Sequence, residues 1–346
     1  MLLKKILLFM SVCVLVACSQ LPRHVNVVQH EDISTDIYSL LSDKESIPFS
    51  GVILVDLDEY RIYEHAQGYY NVPAMSLHQP FVIADLAKQM TAVMALRLVD
   101  QGMIGLHTPI REYLPELGLP YNVTLHQLLT HTGNPQKQFI YNNAGYDLIG
   151  KLISRITLTS FEEQIDNLAQ RCGMKHTFAK EKGDRLFFKL LYPEYKEGWR
   201  EWRGRKLIND FLERDPRENP SLGIISTPKD FMRWGRCLHG EDLLSDEAYD
   251  KMFTSYVDID HRWGRMGYGY GVQVGKTFGS TEISHSGIVP GFKTTNIYYP
   301  AEKVNVLILE NLTFKNNSRG FEIHDGIRKI IIDKLITPMP RYDHLK

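Results

Sequence analysis

The chain has 346 residues, 43% hydrophobic and 23% charged, enough to bury one large core or two lobes sharing a cleft. Lys and Arg total 40 against 41 for Asp and Glu, so no global field recruits nucleic acid or coats an anionic membrane. No nucleic-acid partner is expected, and any other partner must be recognised by a site.

Lys4 and Lys5 precede an apolar run from Ile6 to Val16, too short to span a bilayer stably and shaped like a secretory signal. Leu15-Val16-Ala17-Cys18 closes that run as a bacterial lipobox does, where cleavage precedes a cysteine that is then acylated. An ordinary signal peptide with a coincidental cysteine is the plainer alternative. The expectation is a signal peptide over residues 1–17, lipidation at Cys18, membrane attachment through that lipid, and a polar tether over 18–35. Ser19 after the cysteine resembles the outer-membrane sorting pattern, which places the protein in the bacterial envelope facing the periplasm.

Beyond Cys13 in the signal and Cys18, only Cys172 and Cys237 remain. They can pair in an oxidising compartment or sit as two small apolar side chains, and sequence separation does not decide between these. No Cys/His cluster has metal-ligand spacing, so no metal or other cofactor is expected.

In chain order, Phe49–Val55 and Tyr60–Tyr63 read as a hairpin around Asp56-Leu57-Asp58-Glu59. From Leu86 to Val99 the apolar residues leave little polar surface, predicting a helix buried nearly all round. Thr108-Pro109 and Thr124-Leu125-His126-Gln127 carry helix-start signals, and Ser160-Phe161-Glu162-Glu163 repeats the second. Leu148, Ile149, Leu152, Ile153 and Ile156 form an amphipathic stripe at helical period. Phe187, Phe188, Tyr192, Tyr195, Trp199 and Trp202 lie among charges, where they either wall a cleft or simply pack.

Gly267–Val274, Ser280–His285, Lys293–Tyr299 and Val304–Leu309 read as an antiparallel meander, and Phe321–Leu335 as a closing helix. Gly275-Lys276-Thr277 is read as a turn, not as a phosphate loop. The fold class expected is α+β: an antiparallel sheet flanked by helices, built from both ends of residues 36–346, with a mainly helical lobe inserted. The sheet lobe takes about 36–80 and 265–346, the helical lobe about 81–264, and ligand binds between them.

Phe81-Val82-Ile83-Ala84-Asp85-Leu86-Ala87-Lys88 is similar to the stretch around the Ser-x-x-Lys motif of the penicillin-recognising serine hydrolases, which include class C β-lactamases, D-alanyl-D-alanine carboxypeptidases and esterases. Leu125-His126-Gln127-Leu128-Leu129-Thr130-His131-Thr132, Tyr141-Asn142-Asn143, Cys172-Gly173-Met174 and His285-Ser286-Gly287 follow in the order usual for that family. The resemblance implies a β-lactamase/transpeptidase-like fold and a site made of position 85, Lys88, Tyr141, Asn143 and His285. It also implies substrate or oxyanion contacts from Ser286, Gly287 and Ile288.

The departure is at the centre, where Asp85 replaces the nucleophilic serine. A carboxylate has no proton for Lys88 to remove and would have to form a mixed anhydride. Asp85 and Lys88 share one helix face and are expected to pair, with Asp85 also suited to cap the helix. A carboxylate beside the expected oxyanion hole opposes the charge that acyl transfer develops. The sequence therefore predicts a catalytically degenerate relative that retains a cleft for a cell-wall peptide or an envelope protein. The alternatives are an active hydrolase of D-amino-acid peptides, esters or β-lactams using another nucleophile or water, and a structural lipoprotein with a vestigial cleft.

Overall fold

The computed structural model describes residues 27–43, 48–69, 75–118, 122–179, 198–202, 206–210, 219–240, 242–314 and 320–336. The expected signal peptide and Cys18 lie outside these residues, as do Phe187, Phe188, Tyr192 and Tyr195.

Helix α1 (Val27–Ser42) begins inside the stretch read as tether, because Ile33 and Ile37, one turn apart, bury completely against the sheet. Strands β1 (Gly51–Leu57) and β2 (Tyr60–Gln67) make the expected hairpin. Next come β3 (Phe81–Val82), a 3-10 turn at Ala84–Leu86, and α2 (Ala87–Asp100), buried along almost its whole length.

The helical lobe continues with α3 (Leu125–Leu129), α4 (Ala144–Thr157) and α5 (Phe161–Arg171). Thr124 and Gln127 form a complete capping box on α3, and Ser160 caps α5, as their spacing predicts. Thr108 caps nothing: Ile110–Glu112 is a 3-10 turn, and the Ile110 N–H that a cap would take donates to the Val123 carbonyl.

After β4 (Phe178–Ala179), β5 (Gly198–Trp202) and β6 (Lys206–Asp210), β7 (Ile224–Ser226) joins β3 and β4 in a small three-stranded sheet. Trp199 and Trp202 lie in β5. Two helices follow, α6 (Pro228–Leu238) and α7 (Asp246–Phe253). Cys172 and Cys237 are joined in a disulfide, which resolves the open question in favour of pairing.

The chain then builds β8 (Val257–His261), β9 (Gly264–Tyr268), β10 (Gln273–Thr277), β11 (Ser280–Val289), β12 (Phe292–Tyr299) and β13 (Val304–Glu310). It closes with β14 (Leu312–Thr313), which pairs with β5, and α8 (Glu322–Ile331). The main sheet has eight strands in the order β2-β1-β13-β12-β11-β10-β9-β8, antiparallel throughout.

The meander differs from expectation in two places. Gly267–Val274 is not one strand: it breaks at Gly271, whose φ of 74° and close approach to the Lys88 carbonyl exclude a side chain. Gly275-Lys276-Thr277 lies in β10 and not in a turn.

Both faces of the sheet are covered, so the middles of β1 (residues 52–55) and β13 (residues 306–309) read as unbroken apolar runs. Side chains alternate between the faces. Val52, Leu54, Leu307 and Leu309 join the core shared with the helical lobe. Ile53, Val55, Val306 and Ile308 meet α1 and α8 on the other side, where Ile323, Ile327 and Ile331 repeat every fourth residue along α8.

Candidate functional site

The site forms where the 3-10 turn Ala84–Leu86 crosses β11. Ile83 ties the turn down from both sides, its N–H donating to the Ile224 carbonyl at 3.0 Å and its carbonyl accepting from Thr294 Oγ1 at 3.1 Å. Ala84 is held at φ 49°, a left-handed conformation that costs an alanine of order 1 kcal/mol or more. Asp85 is thereby placed against Gly287 of β11, 8% exposed, with Lys88 beneath it fully buried.

Lys88 Nζ donates to Asp85 Oδ1 at 2.7 Å, Asn143 Oδ1 at 2.8 Å and the Ser221 carbonyl at 3.2 Å. Three acceptors match the three N–H groups of an ammonium, so the ionised pair satisfies every donor. Burial pushes Asp85 up, but the Lys88 charge and hydrogen bonds from Lys88 and Tyr141 outweigh it and hold the carboxyl below its usual range. Burial pushes Lys88 below the usual lysine value, with Asp85 opposing. Asp85 caps no helix, because it lies inside the 3-10 turn and Leu86, not Asp85, stands at the head of α2. The pairing half of the expectation is met and the capping half is not. Asn143 likewise precedes α4 without capping it, its side-chain oxygen being turned to Lys88.

Tyr141 completes the cluster. Its ring edge is exposed, but its hydroxyl donates to Asp85 Oδ1 at 2.7 Å. Burial and the neighbouring Tyr268 and Asp85 push this phenol well above its ordinary value, so its proton stays in place.

His285 stands on β11 across the site, buried, with Nδ1 3.0 Å from the Ser286 carbonyl and Nε2 3.0 Å from the Tyr268 hydroxyl. A carbonyl can only accept, so Nδ1 carries the proton and Nε2 accepts from Tyr268. The same phenolic oxygen then accepts from His131 Nε2 at 3.2 Å, and His131 Nδ1 accepts from the Asn142 N–H at 3.4 Å. Every proton in the chain His131, Tyr268, His285 is assigned with both imidazoles neutral. Burial accordingly lowers His285 to about 4 and His131 to about 2. A neutral His285 whose only N–H faces its own neighbour offers no cation to a ligand carboxylate.

Gly287 faces the turn so closely that a Cβ would stand 2.5 Å from the Asp85 nitrogen. Ser286 points the other way. Its hydroxyl lies 2.9 Å from Thr295 Oγ1 and accepts from Arg262, on the α8 face of the sheet. There Thr295 contacts His324, which shares Glu310 with Lys293. The Ser286 side chain is therefore not a cleft contact; period-2 alternation forces that once Gly287 faces Asp85. Ile288 is half-buried opposite Lys293. Pairing of β11 with β10 stops at Ser284, leaving 285–289 without a strand on that side among the described residues.

A separate cavity of about 460 Å³ opens beside α4 and α5, lined by Leu114, Asp147, Lys151, Arg155 and Phe161 among others; no sequence-predicted site residue lines it. Tyr268 is the participant that the sequence did not identify. It stood in a Gly-Tyr-Gly-Tyr-Gly strand signal, and nothing local marks which tyrosine meets two histidines.

Residues 48–325 match the Beta-lactamase family profile. The chain belongs to the β-lactamase family. It is 22% identical over 323 residues to penicillin-binding protein 4* of Bacillus subtilis, covering 80% of this chain and 70% of that protein. It is 25% identical over 308 residues to the D-alanyl-D-alanine-carboxypeptidase/endopeptidase AmpH of Escherichia coli, covering 72% and 75%. Among solved structures, the D-amino acid amidase of Ochrobactrum anthropi complexed with L-phenylalanine superposes with a TM-score of 0.71 at 20% identity, over 87% of this chain and 99% of that one. The octameric penicillin-binding protein homologue of Pyrococcus abyssi gives 0.68 at 22% identity, over 83% and 74%. The family match and these folds agree with the penicillin-recognising architecture expected from the ordered motifs.

Proposed function

We propose that this β-lactamase-family chain is a non-acylating envelope lipoprotein, anchored through Cys18 to the outer membrane, whose cleft holds a cell-wall peptide or an envelope protein. The observation that carries the loss of acyl transfer is the occupancy of Asp85 Oδ1 by Lys88 and Tyr141 at once. In a serine relative, a lysine and a tyrosine at these positions are free to take and relay the nucleophile's proton. In this chain both donate to a carboxylate that has no proton to give, and its negative charge sits beside the backbone N–H of residue 85, where an oxyanion would have to form.

The envelope location is supported by the charge, apolar run and small-residue site ahead of Cys18. The Cys172–Cys237 disulfide suits an oxidising compartment. Retention of a cleft is supported by residues 285–289 of β11, which pair with β12 on one edge and with no strand on the other among the described residues, so that edge can take an extended peptide as an added strand.

The test is labelling with fluorescent penicillin. Wild type is expected to form no covalent adduct, while Asp85→Ser, which restores a hydroxyl beside Lys88 and Tyr141, is expected to gain one. A stable adduct on wild type refutes the proposal.

A further inference from the structure

The polarity of the cleft floor indicates what kind of ligand it takes. Asp85 Oδ1 receives both Lys88 and Tyr141, whereas Oδ2 accepts no hydrogen bond among the described residues. Asp85 is 8% exposed as a residue and its side chain keeps 12% exposure. A carboxylate oxygen that takes no donor from the protein and keeps some exposure is open to a donor supplied by a ligand, which would stand where water otherwise would.

The cationic side chains nearby are all engaged. Lys88 is saturated by three acceptors. Lys293 is buried with Glu310 and Arg262 is bound to Asp325, both on the far face of the sheet. His285 and His131 are neutral by their hydrogen-bond pattern. Asp147 adds a second carboxylate whose field also acts on Lys88.

We infer that the cleft is a receptor for a primary ammonium group, with Asp85 Oδ2 as its acceptor and the open edge of β11 receiving the extended peptide or amide that carries the amine. This rests on the non-acylating reading above and names the ligand class of the same site. A ligand that instead presents a carboxylate to this corner meets like charge and finds no free cation. Gly287 keeps the approach to Asp85 clear of side chains.

The experiment compares three matched probes by calorimetric or NMR titration of the mature protein. They are D-alanyl-D-alaninamide, which has an amine and no carboxylate; N-acetyl-D-alanyl-D-alanine, which has the reverse; and the doubly capped N-acetyl-D-alanyl-D-alaninamide. The amine is expected to bind about tenfold or more tighter than either capped form, a difference of about 1.4 kcal/mol. In Asp85→Asn, which keeps the side chain's shape and removes its charge, the preference should fall below about twofold.

Equal or tighter binding of the acetylated acid overturns the inference, as does a preference that survives Asp85→Asn, or no binding by any of the three. If Asp85→Asn does not fold, the wild-type preference is measured across salt concentration, where it must weaken as salt rises. Penicillin labelling of wild type is a separate readout: an unlabelled protein with no amine preference sinks this inference alone, while a labelled one sinks the reading beneath it.

Discussion

Gly287 meets Asp85 at backbone range: a Cβ on the glycine would stand 2.5 Å from the Asp85 nitrogen and 2.9 Å from the Ala84 Cβ. The neighbours that would have to yield are a backbone atom and a turn already held at positive φ. Gly287→Ala is expected to lose about 1–3 kcal/mol of stability by overpacking. It should also part β11 from the turn and weaken ligand binding at Asp85. Denaturant unfolding and a titration on the same variant check both; an unchanged midpoint contradicts the close packing.

The ion pair beneath this contact is unequal, and so are its two deletions. Lys88 has no exposure, whereas the Asp85 side chain keeps 12%. Asp85→Ala strands a buried ammonium on two neutral acceptors and is expected to cost about 3–5 kcal/mol. Lys88→Met leaves a carboxylate that water can reach from the cleft and that Tyr141 still serves, so it should cost less. Equal costs, or the reverse order, would show that the pair is not buried as described.

Acid should weaken the fold before the carboxylates titrate. His285 and His324 fall to about 4, His239 to about 3 and His131 to about 2, each lowered first by burial, from an ordinary 6.5. A histidine whose value is depressed by folding adds stability that is complete above 6.5 and drains away as pH falls toward its folded value, because the unfolded chain takes up the proton first. Each such group contributes a slope of up to about 1.4 kcal/mol per pH unit in that window. Unfolding free energy measured at pH 7, 6 and 5 should therefore decline steadily. A flat profile down to pH 5 would mean that these imidazoles are not buried neutral.

The Cys172–Cys237 bridge joins positions 65 residues apart. Loop-closure entropy assigns a crosslink of that span about 4 kcal/mol. Replacing both cysteines by alanine is expected to lower the unfolding free energy by an amount in that range, with the penicillin response unchanged, because neither thiol touches the site. A double variant as stable as wild type refutes the bond.

Much of the site was legible because its grammar is local. Asp85 and Lys88 stand three residues apart on one helical turn, so their contact needs only a helix. Thr124 with Gln127, and Ser160 ahead of Glu163, announce helix starts through hydrogen bonds that close within four residues. The capping role expected of Asp85 failed because a 3-10 turn, tied down through Ile83 to Ile224 and Thr294, precedes α2 and leaves Leu86 at the cap position.

Residue identity and short-range periodicity were enough for the family, for most of the elements and for the replacement of the nucleophile by Asp85, while the helix at Val27–Ser42 and the strand break at Gly271 escaped them. Tertiary structure alone decided that Tyr268 links His131 to His285, that Ser286 turns its hydroxyl to the α8 face, that Asn143 is spent on Lys88, and that the two cysteines meet. Each depends on strand register and on packing between residues far apart in the chain. Hydrogen bonds and burial are settled by distance in space, which no local spacing encodes.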